Sequence, residues 1–193
     1  MSIEAKVVLL GSSSVGKTCI VARATADCFD PEQVSTVGAS FSAKVIATEQ
    51  SRVTLRIWDT AGQERFRSLA PMYFHGAQAV LVVFSVDSFD SFKETETWVD
   101  EIKEQYDAAQ LPLLYLVGNK SDLVQERTVS LEDANNFADK LRARYFETSA
   151  KTGQNINELF EDIAYNIEKH EEKPQNNLKP VLQESTAQKQ QCC

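Results

Sequence analysis

Positive charge, cysteine, glycine and long apolar runs are all in short supply in this chain, and each shortage excludes something. Lys and Arg number 20 against 28 Asp and Glu, a net charge of −8 over 193 residues, with a sequence pI near 4.9. That argues against nucleic acid as the main partner, because neutralising phosphates requires basic clusters. The four cysteines are Cys19, Cys28, Cys192 and Cys193, and their spacings suit neither a zinc site nor a disulfide framework. A reducing, cytosolic compartment is expected. No apolar run reaches membrane-spanning length and no secretory pattern opens the chain. Met1-Ser2-Ile3-Glu4 leads straight into a strand, and Ser2 excludes N-myristoylation, which needs glycine there. No internal repeat is visible.

What is present supports one α/β domain. Hydrophobic residues make up 42% of the chain, enough for a proper core. Strands are expected at Ala5–Leu10, Phe41–Thr48, Arg52–Trp58, Ala79–Val86, Leu113–Val117 and Tyr145–Glu147. Helices are expected after Lys17, on the face formed by Phe92, Thr95, Val99, Ile102 and Tyr106, after a Ser130–Asp133 capping box, and after an Asn155 cap, where Ile156, Leu159, Phe160, Ile163 and Ile167 fall on one face. The polar turn Glu49-Gln50-Ser51 makes the second and third strands a hairpin. Alternating strands and helices imply a six-stranded, mostly parallel sheet with one antiparallel strand and helices on both faces. The domain is expected over residues 1–170. Residues 171–193, rich in Gln and Asn with Pro174 and Pro180, read as a flexible tail.

Ligands in such sheets sit beyond the carboxyl ends of the strands, and five motifs lie there. Gly11-Ser12-Ser13-Ser14-Val15-Gly16-Lys17-Thr18 follows a buried strand and opens a helix, the pattern of a phosphate-binding P-loop. Its glycines let successive N–H groups point inward at the positive end of the helix dipole. Lys17 can reach the outer phosphates and the Thr18 hydroxyl can ligand Mg²⁺, while no role is assigned to the hydroxyls of Ser12, Ser13 and Ser14. In Asp59-Thr60-Ala61-Gly62-Gln63-Glu64, Asp59 can hold Mg²⁺, the Gly62 N–H can meet a γ-phosphate, and Gln63 is the candidate catalytic residue, orienting an attacking water. In Asn119-Lys120-Ser121-Asp122, the Asp122 carboxylate can accept from guanine's ring N–H and exocyclic amine. Adenine lacks that donor pair and would leave the acceptor unpaired. Asn119 can brace the loop and the base edge, and the Lys120 stem can lie along the ring. Thr148-Ser149-Ala150-Lys151 can offer the Ala150 N–H to the guanine oxygen. Thr36 can add its hydroxyl to Mg²⁺ and its N–H to the γ-phosphate, which makes its loop a sensor of the triphosphate. Six of the seven glycines, all but Gly76, lie in or beside these loops. Taken singly, the later motifs would pass as ordinary polar turns; their order is what carries the reading.

That order and spacing resembles the Ras-like small GTPases over residues 4–170, with no obvious insertion. Within them the chain resembles a Rab protein, on Ser35-Thr36-Val37-Gly38, on the run from Trp58 to Phe66 and on the terminal Cys192-Cys193. Ser68-Leu69-Ala70-Pro71-Met72-Tyr73 with Gly76-Ala77-Gln78-Ala79 is further similar to the early-endosomal subgroup. The resemblance implies GTP or GDP as bound nucleotide, with Ser13, Ser14, Val15, Gly16, Lys17, Thr18, Cys19, Phe29, Asp30, Thr36, Gly62, Asn119, Lys120, Asp122, Ser149, Ala150 and Lys151 around it. It implies Mg²⁺ on Thr18, Thr36 and Asp59, and an effector surface of Phe41, Trp58 and Tyr73. It implies an exchange factor, a GTPase-activating protein, a GDP-dissociation inhibitor, a prenylation escort protein and effectors as partners of a monomeric chain. The expected location is the cytoplasmic face of membranes, early endosomal, in exchange with the cytosol. Two departures stand out: Ser85 where many Rab proteins carry Asp, and Thr18 in place of the subgroup's usual serine.

The tail ends in two cysteines without a C-a-a-X box; the resemblance implies geranylgeranyl groups on Cys192 and Cys193. Stable anchoring takes two signals. Lys173, Lys179 and Lys189 are offset by Glu171, Glu172 and Glu184, so no basic patch can be the second, and two lipid chains are the sensible solution. A P-loop metabolic kinase would need an acceptor pocket and a basic lid, and neither is evident. A non-hydrolysing scaffold is opposed by intact Gln63 and Thr36.

Overall fold

The computed structural model describes residues 2–62, 70–107 and 110–171. Six strands, β1 (Ser2–Leu10), β2 (Ala39–Ala47), β3 (Arg52–Thr60), β4 (Ala79–Ser85), β5 (Leu113–Asn119) and β6 (Arg144–Glu147), form one sheet in the order β2-β3-β1-β4-β5-β6. The β2–β3 pair is antiparallel and every other pair is parallel. Among the described residues five helices connect or flank them: α1 (Lys17–Ala26), α2 (Ala70–Phe74), α3 (Phe89–Gln105), α4 (Leu131–Leu141) and α5 (Ile156–Glu171). None of the described helices is long and apolar enough to cross a membrane.

Period-two alternation decides which helix packs where. Val7, Leu9, Leu55, Ile57, Leu81 and Val83 face α1 and α5, meeting Ile20, Leu159, Phe160 and Ile163. Their neighbours Val8, Leu10, Val80 and Val82 face the other way, against Phe74, Trp98, Val99 and Ile102. Phe84 and Leu116 extend that second face onto Ala134 and Ala138 of α4. Every residue of β4 is buried, as a parallel strand covered on both faces requires. Each fully buried Leu or Ile contributes about 1.5–3 kcal/mol to the fold.

The structure differs locally from the sequence pattern. β1 begins at Ser2 rather than Ala5, because Ser2, Ile3 and Glu4 pair with Arg52, Val53 and Thr54 of β3. Tyr106 is not on the helical face: α3 ends at Gln105, and Tyr106 is extended at φ −126° and ψ 140°. Its hydroxyl donates to the Phe74 carbonyl and accepts the Ala77 N–H at 3.1 Å, so it ties the α2 end to α3. Ser130 does cap α4, accepting the Asp133 N–H at 3.0 Å and donating to its carboxylate at 2.6 Å. Asn155 works otherwise. Its backbone is left-handed at φ 56°, and its side-chain amide donates to the Glu147 carbonyl at 2.7 Å, so it ties the loop back to β6 instead of capping α5. Because β1, β3, β4, β5 and β6 run in parallel, their carboxyl ends form one edge, and the chain segments leaving them build the site.

Candidate functional site

The segment between β1 and α1 turns at Gly16, the residue before the helix, at φ 95°. A Cβ there would stand 2.3 Å from Asn119 Nδ2, so glycine meets both a backbone and a packing demand. Lys17 is 5% exposed. Its ammonium donates to the carbonyls of Gly11 (2.8 Å) and Ser12 (2.7 Å). Burial pushes it down to about 8, against the pull of Asp59. Gly62 closes over the same point: a Cβ on it would lie 2.4 Å from the Ser12 carbonyl oxygen and 2.5 Å from Lys17 Nζ. The Ser12 hydroxyl, without a role in the sequence reading, donates to Glu94 of α3.

Thr18, Thr36 and Asp59 come from α1, the α1–β2 loop and the end of β3, and their side chains meet. The Thr18 hydroxyl donates to Asp59 Oδ2 at 2.7 Å and lies 2.9 Å from the Thr36 hydroxyl. Thr36 reaches the same carboxylate oxygen at 3.4 Å. Asp59 is 1% exposed, and its Oδ1 has no hydrogen-bond partner among the described residues. Burial raises its carboxyl above the usual range, opposed by the Thr18 hydrogen bond, by Lys17, and by the Thr36 and Ser40 hydroxyls. A buried carboxylate oxygen without a partner is costly, and a cation beside it removes that cost. Two hydroxyls and a carboxylate are hard oxygen donors, so the residues present fit Mg²⁺. No group of three or more His, Cys, Asp or Glu residues able to hold a metal occurs among the described residues.

The other end is built from β5 and β6. Asn119 donates to the Val15 carbonyl at 2.8 Å. Its side-chain oxygen accepts from the Thr148 hydroxyl (3.3 Å) and the Ala150 N–H (3.2 Å). The Ala150 N–H, expected to face a guanine oxygen, thus points to Asn119. One side chain joins the P-loop, the β5 end and the 148–151 loop. The Ser149 hydroxyl donates to Asp122 Oδ1 at 2.6 Å, and Lys151 Nζ stands 3.9 Å from Asp122 Oδ2.

Between the two ends lies a cavity of about 400 Å³. Ser13, Ser14, Gly16, Lys17, Thr18, Cys19, Phe29, Asp30, Thr36, Gly62, Asn119, Lys120, Asp122, Ala150 and Lys151 line it. Val15 and Ser149 do not; they stand behind the wall, as acceptor for Asn119 and donor to Asp122. Gln63 lies outside the described residues. Away from the cavity, Phe41 and Trp58 pair across β2–β3 with ring centroids 5.5 Å apart, and Tyr73 lies 6.3 Å from Trp58. Cys192 and Cys193 lie outside the described residues, as does the tail from residue 172 onward.

A family model described as the Ras family matches residues 6–169. This chain belongs to the Ras family. A Ras-family GTP-binding protein takes GTP with Mg²⁺ and works with exchange factors, GTPase-activating proteins and effectors. The cavity is where this Ras-family chain offers a P-loop lysine, hard oxygen donors and a carboxylate together.

Some contributors to the Ras-family site carry no sequence signal of their own. Arg23, on α1, donates from Nε to the Ala150 carbonyl (2.9 Å) and from Nη2 to the Lys151 carbonyl (3.0 Å). Its distance of 127 residues from Ala150 hides the contact. Pro31, Gln33, Val34 and Leu123 also line the cavity; only their nearness to Asp30, Thr36 and Asp122 in the chain could have suggested them.

Proposed function

We propose that this chain is a Rab-type switch that binds GTP, hydrolyses it to GDP and recruits effectors to membranes in vesicle traffic, on the early endocytic route. The observation that carries the switch is the meeting of Thr18 and Thr36 at one oxygen of Asp59, whose other oxygen has no partner among the described residues. Thr36 belongs to an exposed loop whose Val34 and Val37 are 78% and 75% accessible. The Thr36 hydroxyl ties that loop to Thr18 and Asp59, so a cation at this point would bear on the loop's position. Thr18, Thr36 and Asp59 are the residues that would hold Mg²⁺, which supplies charge neutralisation at the phosphate oxygens when bound.

The other roles follow from position. The N–H groups of Ser13, Ser14, Val15, Gly16, Lys17, Thr18 and Cys19 cradle the phosphates. The Lys17 ammonium exchanges its carbonyl partners for phosphate oxygens, and the Gly62 N–H takes the γ-phosphate. Gln63 orients the attacking water. Asp122, held by Ser149, selects guanine; Asn119 braces the base edge and holds the Ala150 N–H beside it, and Lys120, Lys151, Phe29 and Asp30 flank the base. When the γ-phosphate leaves, Thr36 and Gly62 lose their common partner, and the Phe41–Trp58–Tyr73 surface, joined to them through β2 and β3, changes order. No Arg or Lys stands between Phe29 and Thr36, so this loop brings no cationic finger to the transition state, and hydrolysis is slow until an activating protein supplies one.

The Rab assignment is supported by the ring contacts of Phe41, Trp58 and Tyr73, by the motif run from Trp58 to Phe66, and by Cys192-Cys193 as the site of two lipid chains. An escort protein would present the tail for prenylation, and a GDP-dissociation inhibitor would shield the lipids in the cytosol. Single-turnover hydrolysis by the purified, GTP-loaded chain tests the enzyme: turnover is slow, and Gln63→Leu slows it further by roughly 10- to 100-fold. Fast unassisted turnover, or an unaffected Gln63→Leu chain, overturns the reading. Fractionation of cells carrying the Cys192→Ser/Cys193→Ser chain tests the anchor: the protein moves from membranes to cytosol, and retention on membranes counts against it.

A further inference from the structure

Ser85, the departure from the family pattern on β4, has a specific partner. It is the last residue of its strand and is 1% exposed. Its N–H donates to the Ser91 hydroxyl of α3 at 3.0 Å, which fixes its position. Its own hydroxyl donates to Asp87 Oδ1. The other oxygen of Asp87 faces Lys120 Nζ at 3.7 Å. The three side chains run in a row from the end of β4 to the cavity wall that Lys120 lines.

Lys120 needs such a support. Its backbone is left-handed at φ 65°, a conformation that costs a residue with a side chain about 1 kcal/mol or more. Its carbonyl accepts the Leu123 N–H at 2.9 Å. Those features place the Cα and leave the four-carbon stem, with its large rotamer freedom, unplaced. Asn119 and Asp122 of the same motif are fixed by hydrogen bonds to the P-loop and to Ser149. For Lys120 the corresponding contact is the Asp87 carboxylate, itself aimed by Ser85.

We propose that Ser85 and Asp87 are positioning residues that hold the Lys120 stem along the guanine face and so slow nucleotide release. The inference rests on the guanine-nucleotide reading above. Release of a fluorescent GDP, dye-labelled on the ribose, from the full chain tests it. Asp87→Asn keeps the shape and removes the charge, and release becomes about three- to fivefold faster, the scale of a half-exposed ion pair. Ser85→Ala, which frees the carboxylate to turn, speeds release about twofold. Asp87→Glu restores most of the slow release. Added salt moves the wild-type rate toward that of Asp87→Asn, because it screens the pair; a purely structural role would not respond. In a Lys120→Met background, Asp87→Asn adds nothing. A wild-type rate for Asp87→Asn, or its full effect in the Lys120→Met background, overturns the assignment. A wild-type chain that fails to bind the labelled GDP overturns the guanine reading itself, and the positioning role with it.

Discussion

At the base end of the cavity Asn119 bridges three segments and Ser149 holds Asp122; at the phosphate end Asp59 keeps one oxygen unpaired among the described residues and the Lys17 ammonium turns back onto backbone carbonyls. At the base end the Asn119 amide and Asp122 Oδ1 already have protein partners. The phosphate end presents a buried ammonium and a carboxylate oxygen without a hydrogen-bond partner among the described residues. This division suits a switch. On the proposed reading, the part that chooses the nucleotide is held by its own hydrogen bonds, and the part that meets the phosphates is completed by its ligand. Changes at the base end should therefore alter which nucleotide binds, or how tightly any guanine nucleotide binds. Changes at the phosphate end should separate GTP from GDP.

The largest expected effect is at Asp122. Asp122→Asn replaces an acceptor pair with one acceptor and one donor, and the donor suits the carbonyl that xanthine carries in place of guanine's amine. The preference for GDP over xanthosine diphosphate should fall by roughly 10³-fold or more, as expected where a site is built to hydrogen-bond its substrate. Competition binding with the two diphosphates measures it. A retained strict preference for guanine would mean that Asp122 is not the selecting group.

Gly62→Ala tests the other end. The added Cβ would stand 2.4 Å from the Ser12 carbonyl oxygen, so one of the two segments must move. On the proposed reading GTP requires the Gly62 N–H at the γ-phosphate, whereas GDP leaves the 62 segment room to stand back. Overpacking of this kind costs about 1–3 kcal/mol, which should weaken a non-hydrolysable GTP analogue about 5- to 150-fold relative to GDP. Titration of the two ligands against one protein preparation checks the ratio. An equal loss for both would erase the distinction between the ends.

Much of this arrangement was legible in the chain. The alternation of apolar residues in β1 and β4 gave the sheet and its two faces, and the P-loop glycines marked the turn into α1. Local signals sufficed there, because period and turn chemistry act over a few residues. The illegible parts are long-range or doubly usable. Asn155 has the residue type of a helix cap, yet its amide reaches back to the Glu147 carbonyl. Tyr106 has the spacing of α3, yet its hydroxyl is claimed by the Phe74 carbonyl. Arg23 carries no signal, because its use is set by where β6 delivers Ala150. A side chain with several acceptable partners is assigned only when the fold decides which of them arrive.

Arg23 also gives the smallest and most discriminating test. Its guanidinium holds the carbonyls of Ala150 and Lys151 with two separate N–H groups, so it steadies the base-end loop from behind without lining the cavity. Each such bond contributes about 0.5–1.5 kcal/mol net, and water can replace part of it at a side chain 18% exposed. Arg23→Ala should therefore speed release of GDP and of a GTP analogue about three- to tenfold, by the same factor for both, since the base is common to them. Arg23→Lys, which loses the planar fork and keeps one charge-assisted contact, should fall between. Stopped-flow displacement of each labelled nucleotide reads the pair of rates. If the two rates change by different factors, the base end is sensing the γ-phosphate, and the rigid and responsive halves of the cavity are one coupled unit.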